Sequence, residues 1–166
     1  LRSTQIAKLA SLPKSLKELK LASCTGISKE EFKKLDESFF HLEVLNVYMT
    51  RIAKLASLPR SLKKLDLSFC LAVKAEEFAQ LDDSFSHLEV LNLVNTQITK
   101  LASLPKSLKK LALSTCQGVP AEEFEELNES FSHLEMLNLG NTRIAKLASL
   151  PKSLKKLVLS TCQGVS

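Results

Sequence analysis

Glycine is scarce in this chain, with 4 among 166 residues. No cluster of them forms a loop able to wrap a phosphate, so nucleotide chemistry has no visible seat. Aromatic residues make up only 5%, too few for the stacking platforms that single-stranded nucleic acid needs; Tyr48 is the one candidate on an open surface. Lys or Glu interrupts every leucine-rich stretch, and no apolar run approaches the roughly 18 residues of a membrane-spanning helix. The chain starts at Leu1 without a charged segment followed by an apolar one, so no signal peptide is read and the natural start is expected to lie upstream. Charge of neither sign gathers in a block. The net +5 is spread over lysine-rich phrases and predicts acidic partners only weakly. What is present, 45% hydrophobic and 25% charged residues, is the composition of an ordinary soluble protein long enough to bury a continuous core.

One phrase dominates. KLASLPKSLKKL starts at Lys100 and returns almost unchanged at Lys8, Lys54 and Lys146. Thr4, Thr50, Thr96 and Thr142 stand 46 residues apart, so the register never slips. Within each unit L-x-x-L-x-L begins at Leu16, Leu62, Leu108 and Leu154, and L-x-x-L-x-[LV] at Leu42, Leu88 and Leu134. The pattern predicts seven short strands whose starts alternate by 26 and 20 residues, enough for one strand and its return path. A strand that buries Leu108, Leu111 and Leu113 has no core of its own and must stack on neighbours. Phe124 and Leu127, with Phe32 and Phe78 in the equivalent places, read as one or two helical turns laid over the array. Pro13, Pro59, Pro105 and Pro151 make LASLP an extended or turn-like return.

On these motifs the chain resembles leucine-rich-repeat proteins over essentially its whole length. The longer repeat, residues 107–132, resembles the cysteine-containing repeats found beside F-box domains and in some bacterial proteins. The shorter one, residues 87–106, resembles the short repeats of secreted bacterial effectors, whose returns carry L-P-x-x-L, although Thr96 stands where those usually carry Asn. The resemblance implies an α/β solenoid: a right-handed horseshoe with a parallel sheet on its concave face and short helices and extended returns outside. It also implies a non-catalytic scaffold for a partner protein, within a bacterial effector or a ubiquitin-ligase adaptor.

Residue types that often carry chemistry are spaced against it here. Cys24, Cys70, Cys116 and Cys162 fall on every second strand, about 9.6 Å apart, beyond the ~7 Å limit for a disulfide and too far to share a zinc ion. They are expected as buried thiols, with Thr50, Thr96 and Thr142 completing their column, in a reducing compartment such as the cytoplasm, or a host's cytoplasm for an effector. His41, His87 and His133 are one full unit apart. The pairs Glu30–Glu31, Glu76–Glu77 and Glu122–Glu123 point different ways from a short helix and read as a solvated face. An active site needs one asymmetric pocket, whereas an array repeats each residue; no catalytic residue, metal or cofactor is expected. Two lysine columns, Lys14, Arg60, Lys106, Lys152 and Lys17, Lys63, Lys109, Lys155, are the argument for an alternative nucleic-acid or acidic ligand, or simply a solubility face.

Aligned on one another, the copies differ most on the outward strand positions. The first outward column reads Glu18, Val44, Lys64, Val90, Lys110, Met136, Lys156; the second Lys20, Asn46, Asp66, Asn92, Ala112, Asn138, Val158; the third Ala22, Tyr48, Ser68, Val94, Ser114, Gly140, Ser160. Phe69 and Leu71 replace small or polar residues of the sister repeats. An exposed aromatic with apolar and charged neighbours is what protein recognition needs, so Tyr48, Asp66, Phe69, Val90, Val94, Lys64, Lys110 and Met136 form the expected partner site. Drift after duplication, leaving a structural spacer, is the competing reading. Domain organisation is read as one array, with double repeats at 4–49, 50–95 and 96–141 and a partial one at 142–166. Residues 1–4 and 161–166 look like cut repeats, predicting a piece of a longer array without caps and capable of end-to-end self-association.

Overall fold

The structure is a computed structural model that describes residues 8–125, 127–144 and 149–162. Among them lie seven strands of three residues each: Glu18–Lys20 (β1), Val44–Asn46 (β2), Lys64–Asp66 (β3), Val90–Asn92 (β4), Lys110–Ala112 (β5), Met136–Asn138 (β6) and Lys156–Val158 (β7). They form one open, all-parallel sheet in sequence order. The fold is the leucine-rich-repeat solenoid that the repeats imply. Of the residues on which the cut-repeat expectation rests, 1–4 and 163–166 lie outside the described residues, as do residues 146–148 of the phrase at Lys146.

Alternation along each strand decides the two faces. Leu19, Leu45, Leu65, Leu91, Leu111 and Leu137 are the middle residues and are buried, while their neighbours look outward. Behind the sheet the core is closed by Phe32, Phe78 and Phe124 from the first helical turns and by Phe39, Phe85 and Phe131 from the second, all at most 1% exposed. Those turns are short: α1 is Lys29–Phe32 and α2 Leu35–Ser38, while the equivalent stretches Ala75–Gln80 and Ala121–Phe124 are 3-10 helix and Leu127–Ser130 is α3. A single apolar residue per turn is enough to reach the core, and nothing in the sequence asks for a longer helix.

The shared phrases are explained by bonds between repeats. After LASLP the chain turns sharply, Leu62 N–H donating to the Pro59 carbonyl and Leu108 N–H to that of Pro105, which delivers the next residue into its strand. The Ser of SLK reaches one repeat back: Ser61, Ser107 and Ser153 Oγ donate to the carbonyls of Leu42, Leu88 and Leu134, each at 2.8 Å. The thiols and hydroxyls expected in one column share acceptors. Thr50 Oγ1 (2.8 Å) and Cys70 Sγ (3.0 Å) donate to the Val47 carbonyl. Thr96 and Cys116 do so to that of Leu93, and Thr142 and Cys162 to that of Leu139. The carbonyls of Val47, Leu93 and Leu139 thus each take both donors.

The carboxylate pairs depart from the expected solvated face. Glu76 and Glu122 are exposed, but their neighbours are half-buried and bind backbone N–H groups of the preceding return. Glu31 Oε2 accepts from Leu9 N at 2.6 Å, Glu77 Oε2 from Leu55 N at 3.2 Å, and Glu123 Oε2 from Leu101 N at 2.6 Å. Lys54 Nζ adds a bond to Glu77 Oε1 at 2.5 Å. A non-helical return leaves N–H groups without ladder partners, and the carboxylate satisfies them from the next repeat. Glu123→Ala is therefore expected to lower stability by about 1–3 kcal/mol, the cost of orphaning such a donor, while Glu122→Ala stays within about 0.5 kcal/mol. Urea midpoints of the two variants test this, and equal effects would contradict it.

Candidate functional site

The strand register places the first two outward columns as the alternation predicts; in the third, beyond the strand ends, Ser68 and Gly140 are buried rather than outward. Along the first, Glu18 pairs with Val44, then Lys64, Val90, Lys110, Met136 and Lys156 follow in sequence. The expected site residues fall into two groups. Lys64, Val90, Lys110 and Met136 form a row across neighbouring strands at their N-terminal ends. Tyr48, Asp66, Phe69 and Val94 gather near the strand exits, with Phe69 N–H donating to the Val94 carbonyl at 2.9 Å and its ring meeting Tyr48 edge-on at 5.4 Å. Met136 stands four strands from Tyr48, roughly 19 Å away at the usual strand spacing, so the eight residues are not one spot.

Asp66 is already engaged. Its Oδ2 accepts from Asn46 Nδ2 at 3.1 Å, and its Oδ1 from Ser68 N at 3.0 Å and from Ser68 Oγ. The column does the same elsewhere, Asn46, Asn92 and Asn138 each accepting the backbone N–H two residues on. These side chains hold the strand exit in shape. Ala112 and Val158 cannot, and at β5 Ser114 Oγ instead donates to Asn138 Oδ1 at 2.8 Å.

Each strand exit then passes through a residue in the left-handed region: Ser23, Met49, Phe69, Asn95, Thr115, Asn141 and Thr161, with φ between 53° and 61°. Asn tolerates this conformation, and a large side chain does so at a cost. Met49 and Phe69 are the large ones, 50% and 38% exposed, and Leu71 beside them is 58% exposed. Met49 was not among the expected site residues, though its signal was readable: it stands where the sister repeats carry Asn95 and Asn141.

The lysine columns separate by partner. Lys63 Nζ lies 2.9 Å from Glu43, Lys109 2.8 Å from Glu89 and Lys155 3.1 Å from Glu135, with Lys17 also 3.7 Å from Glu43. Their hydrogen bonds and charge hold the Glu43 and Glu89 carboxyls below the usual range, Lys63 and Lys109 acting most strongly. A depressed carboxylate stabilises the fold above its unfolded pKa and loses that contribution as pH falls through the lower, folded value. In the other column Arg60 sits 4.2 Å over the Phe85 ring and donates to the Gln80 carbonyl. By contrast Lys64, Lys110 and Lys156 on the open face are exposed and enter no ion pair among the described residues.

Groups for catalysis do not converge. His87 and His133 line a shallow surface cavity of about 340 Å³ with Lys63, Glu89 and Lys109, but Glu89 and both lysines are already paired. Among the described residues no three His, Cys, Asp or Glu side chains gather where they could hold a metal ion, and no helix is long and apolar enough to cross a membrane. Cys70, Cys116 and Cys162 are free thiols. Burial pushes the thiols of Cys70 and Cys116 up, only partly offset by hydrogen bonds from Thr50 and Thr96.

No protein-family model matches the sequence, and neither does any curated protein. Among solved structures the chain is similar to an internalin from Listeria monocytogenes, at 19% identity and a TM-score of 0.72, over 96% of this chain and 46% of the internalin. It is also similar to YopM from Yersinia enterocolitica, at 22% identity and a TM-score of 0.60, over 93% of this chain and 31% of YopM. The chain thus spans less than half the length of either. At these identities the likeness shows a shared leucine-rich-repeat fold.

Two outcomes are expected from these local environments. Met49→Asn should raise stability by up to about 1 kcal/mol, because Asn accepts the left-handed backbone more readily; a lowered denaturation midpoint would count against this. Iodoacetamide at pH 8 should modify Cys70 and Cys116 in the folded chain on the order of tenfold or more slowly than in urea, as for buried thiols. Peptide mass spectrometry resolves the sites.

Proposed function

We propose that this chain is a non-catalytic scaffold that recognises a partner protein through the open, concave-side face of its sheet. The observation that carries the reading is the first outward column, where Lys64, Lys110 and Lys156, which enter no ion pair among the described residues, alternate with half-exposed Val44, Val90 and Met136. Apolar groups interleaved with available charge fit a protein surface better than a phosphate backbone, which would meet every strand with the same demand. The ladder formed by Lys17, Lys63, Lys109 and Lys155 is largely neutralised by Glu43, Glu89 and Glu135, which weakens the nucleic-acid alternative.

The resemblance of the shorter repeats to those of secreted bacterial effectors, together with fold neighbours from two bacteria, supports a host-directed effector ahead of a ubiquitin-ligase adaptor. The array is one domain of double repeats at 4–49, 50–95 and 96–141 with a partial one at 142–166, working inside a longer protein. The free thiols of Cys70, Cys116 and Cys162 favour a reducing compartment, the cytoplasm of a host for an effector.

The test is affinity capture from lysate at physiological salt, comparing the chain with a Val90→Asp, Val94→Asp variant whose circular dichroism and melting are unchanged. A bound protein should be lost with the variant, the affinity falling by more than about 2 kcal/mol, roughly thirtyfold. Equal capture by both, or capture of nucleic acid that collapses with added salt, would overturn the proposal.

A further inference from the structure

Four side chains depart from their sister repeats at one corner of the sheet, and three of them exchange a polar residue for an apolar one. Tyr48 stands where the other short repeats have Val94 and Gly140, and Met49 where they have Asn95 and Asn141. Phe69 stands where the long repeats have Ser23, Thr115 and Thr161, and Leu71 where they have Thr25 and Gln117. Met49, Phe69 and Leu71 are three of the four large apolar side chains exposed among the described residues; the fourth, Phe40, lies at the far end of β2 against His41. They sit on adjacent repeats. The Met49 N–H donates to the Ser68 carbonyl and the Phe69 N–H to the Val94 carbonyl, which fixes Met49 and Phe69 in one column along the strand exits. The Tyr48 and Phe69 rings brace each other at 5.4 Å, so both lose little freedom when something docks.

The backbone argues that this apolar character is not idle. Met49 and Phe69 hold φ of 54° and 59°, where a bulky residue is disfavoured. Thr115 and Thr161 in the same place return a hydrogen bond to the carbonyls of Ser114 and Ser160, a compensation that Phe69 has no atom to make.

Beyond the corner the charge is one-sided. Column one runs from Lys64 through Lys110 to Lys156 without a carboxylate, while at β1 Glu18 is closed by Lys20. The lysines are two strands apart, about 9.6 Å. Asp66, held by Asn46 and Ser68, repels an acidic group from the second column and confines such groups to the first.

We propose, building on the protein-binding reading above, that the exposed corner formed by Tyr48, Met49, Phe69 and Leu71 is the anchor patch of the site. Its occupant is an acidic segment of a partner protein: one large apolar side chain docks at the corner, and carboxylates about 10 Å apart run across the sheet to Lys64 and Lys110. That spacing corresponds to three residues of extended chain, at about 3.1 Å each, or seven of helix, at about 1.5 Å each.

The experiment is selection of peptides from a random displayed library on the whole chain. Fluorescence anisotropy with the selected peptides, synthesised and labelled, then follows on variants. The corner variant Met49→Asn, Phe69→Thr, Leu71→Gln installs residues that the sister repeats already carry, so its fold is safeguarded and is checked by melting. Selected peptides should combine an aromatic or large aliphatic residue with acidic residues three or seven apart. Binding should weaken at least roughly thirtyfold in the corner variant, and by about three- to tenfold in Lys64→Gln, Lys110→Gln, with a loss of salt dependence in the latter. Absence of enrichment, or enrichment of basic or uncharged peptides, overturns the proposal. So does a single-stranded oligonucleotide that binds through the lysines regardless of the corner. If the corner variant binds normally while Val90→Asp, Val94→Asp does not, this proposal fails and the open-face reading stands; if neither variant loses binding, both fail.

Discussion

A strand of three residues cannot stand alone, and that limit governs everything else in this chain. Each of the seven strands offers too few backbone bonds and too little apolar area to persist by itself, so it exists only against the strands 20 and 26 residues away. The 46-residue spacing of the repeat is the sequence expression of that dependence. A one-residue slip would turn Leu65 outward and bring Lys64 or Asp66 into the core. Every inserted or deleted residue must therefore be absorbed in the returns, and none has been.

The same dependence explains which letters of the repeated phrase are shared. Ser61, Ser107 and Ser153 bond the repeat behind them, Glu31, Glu77 and Glu123 bond the return behind them, and each Thr–Cys pair closes on one carbonyl. These groups are spent on neighbours. They are polar residues in the service of stacking, and no buried side-chain polar atom among the described residues lacks a partner. What is left to meet a ligand is the outward columns and the strand exits, where the copies are free to differ.

Much of this was legible in the sequence because it depends on period alone. The seven strands, the direction of their leucines and the membership of the first two outward columns follow from alternation and a constant register, whereas the third lies past the strand ends, where Ser68 and Gly140 turn out to be buried. The roles of individual polar residues did not follow. Glu123 reaches the N–H of Leu101, 22 residues upstream, and the helical spacing that described its neighbours said nothing about a partner in the previous return. Asp66 looked like a free charge because its Asx geometry depends on a backbone bend only the folded chain displays. The neutralised ladder of Lys63, Lys109 and Lys155 was within reach, since Glu43, Glu89 and Glu135 precede them by a constant 20 residues. Met49 was missed by alternation, which ceases just past the third column where left-handed backbone takes over, although comparison with Asn95 and Asn141 of the sister repeats marks it.

That left-handed position separates drift from use. On an exposed surface after duplication, change is tolerated wherever it costs nothing, and it should scatter over loops and helices and across residue types. The departures at Met49 and Phe69 fall instead on backbone that penalises large side chains, beside a third at Leu71 and a fourth at Tyr48, all of them gaining apolar surface exposed or half-exposed to water. Asn at the same place in the sister repeats shows that the chain already had a cheaper solution. Three of the four departures exchange a polar residue for an apolar one, and two carry a conformational cost that no bond within the fold is seen to offset. That unreturned cost is the observation on which the proposed contact with a partner rests.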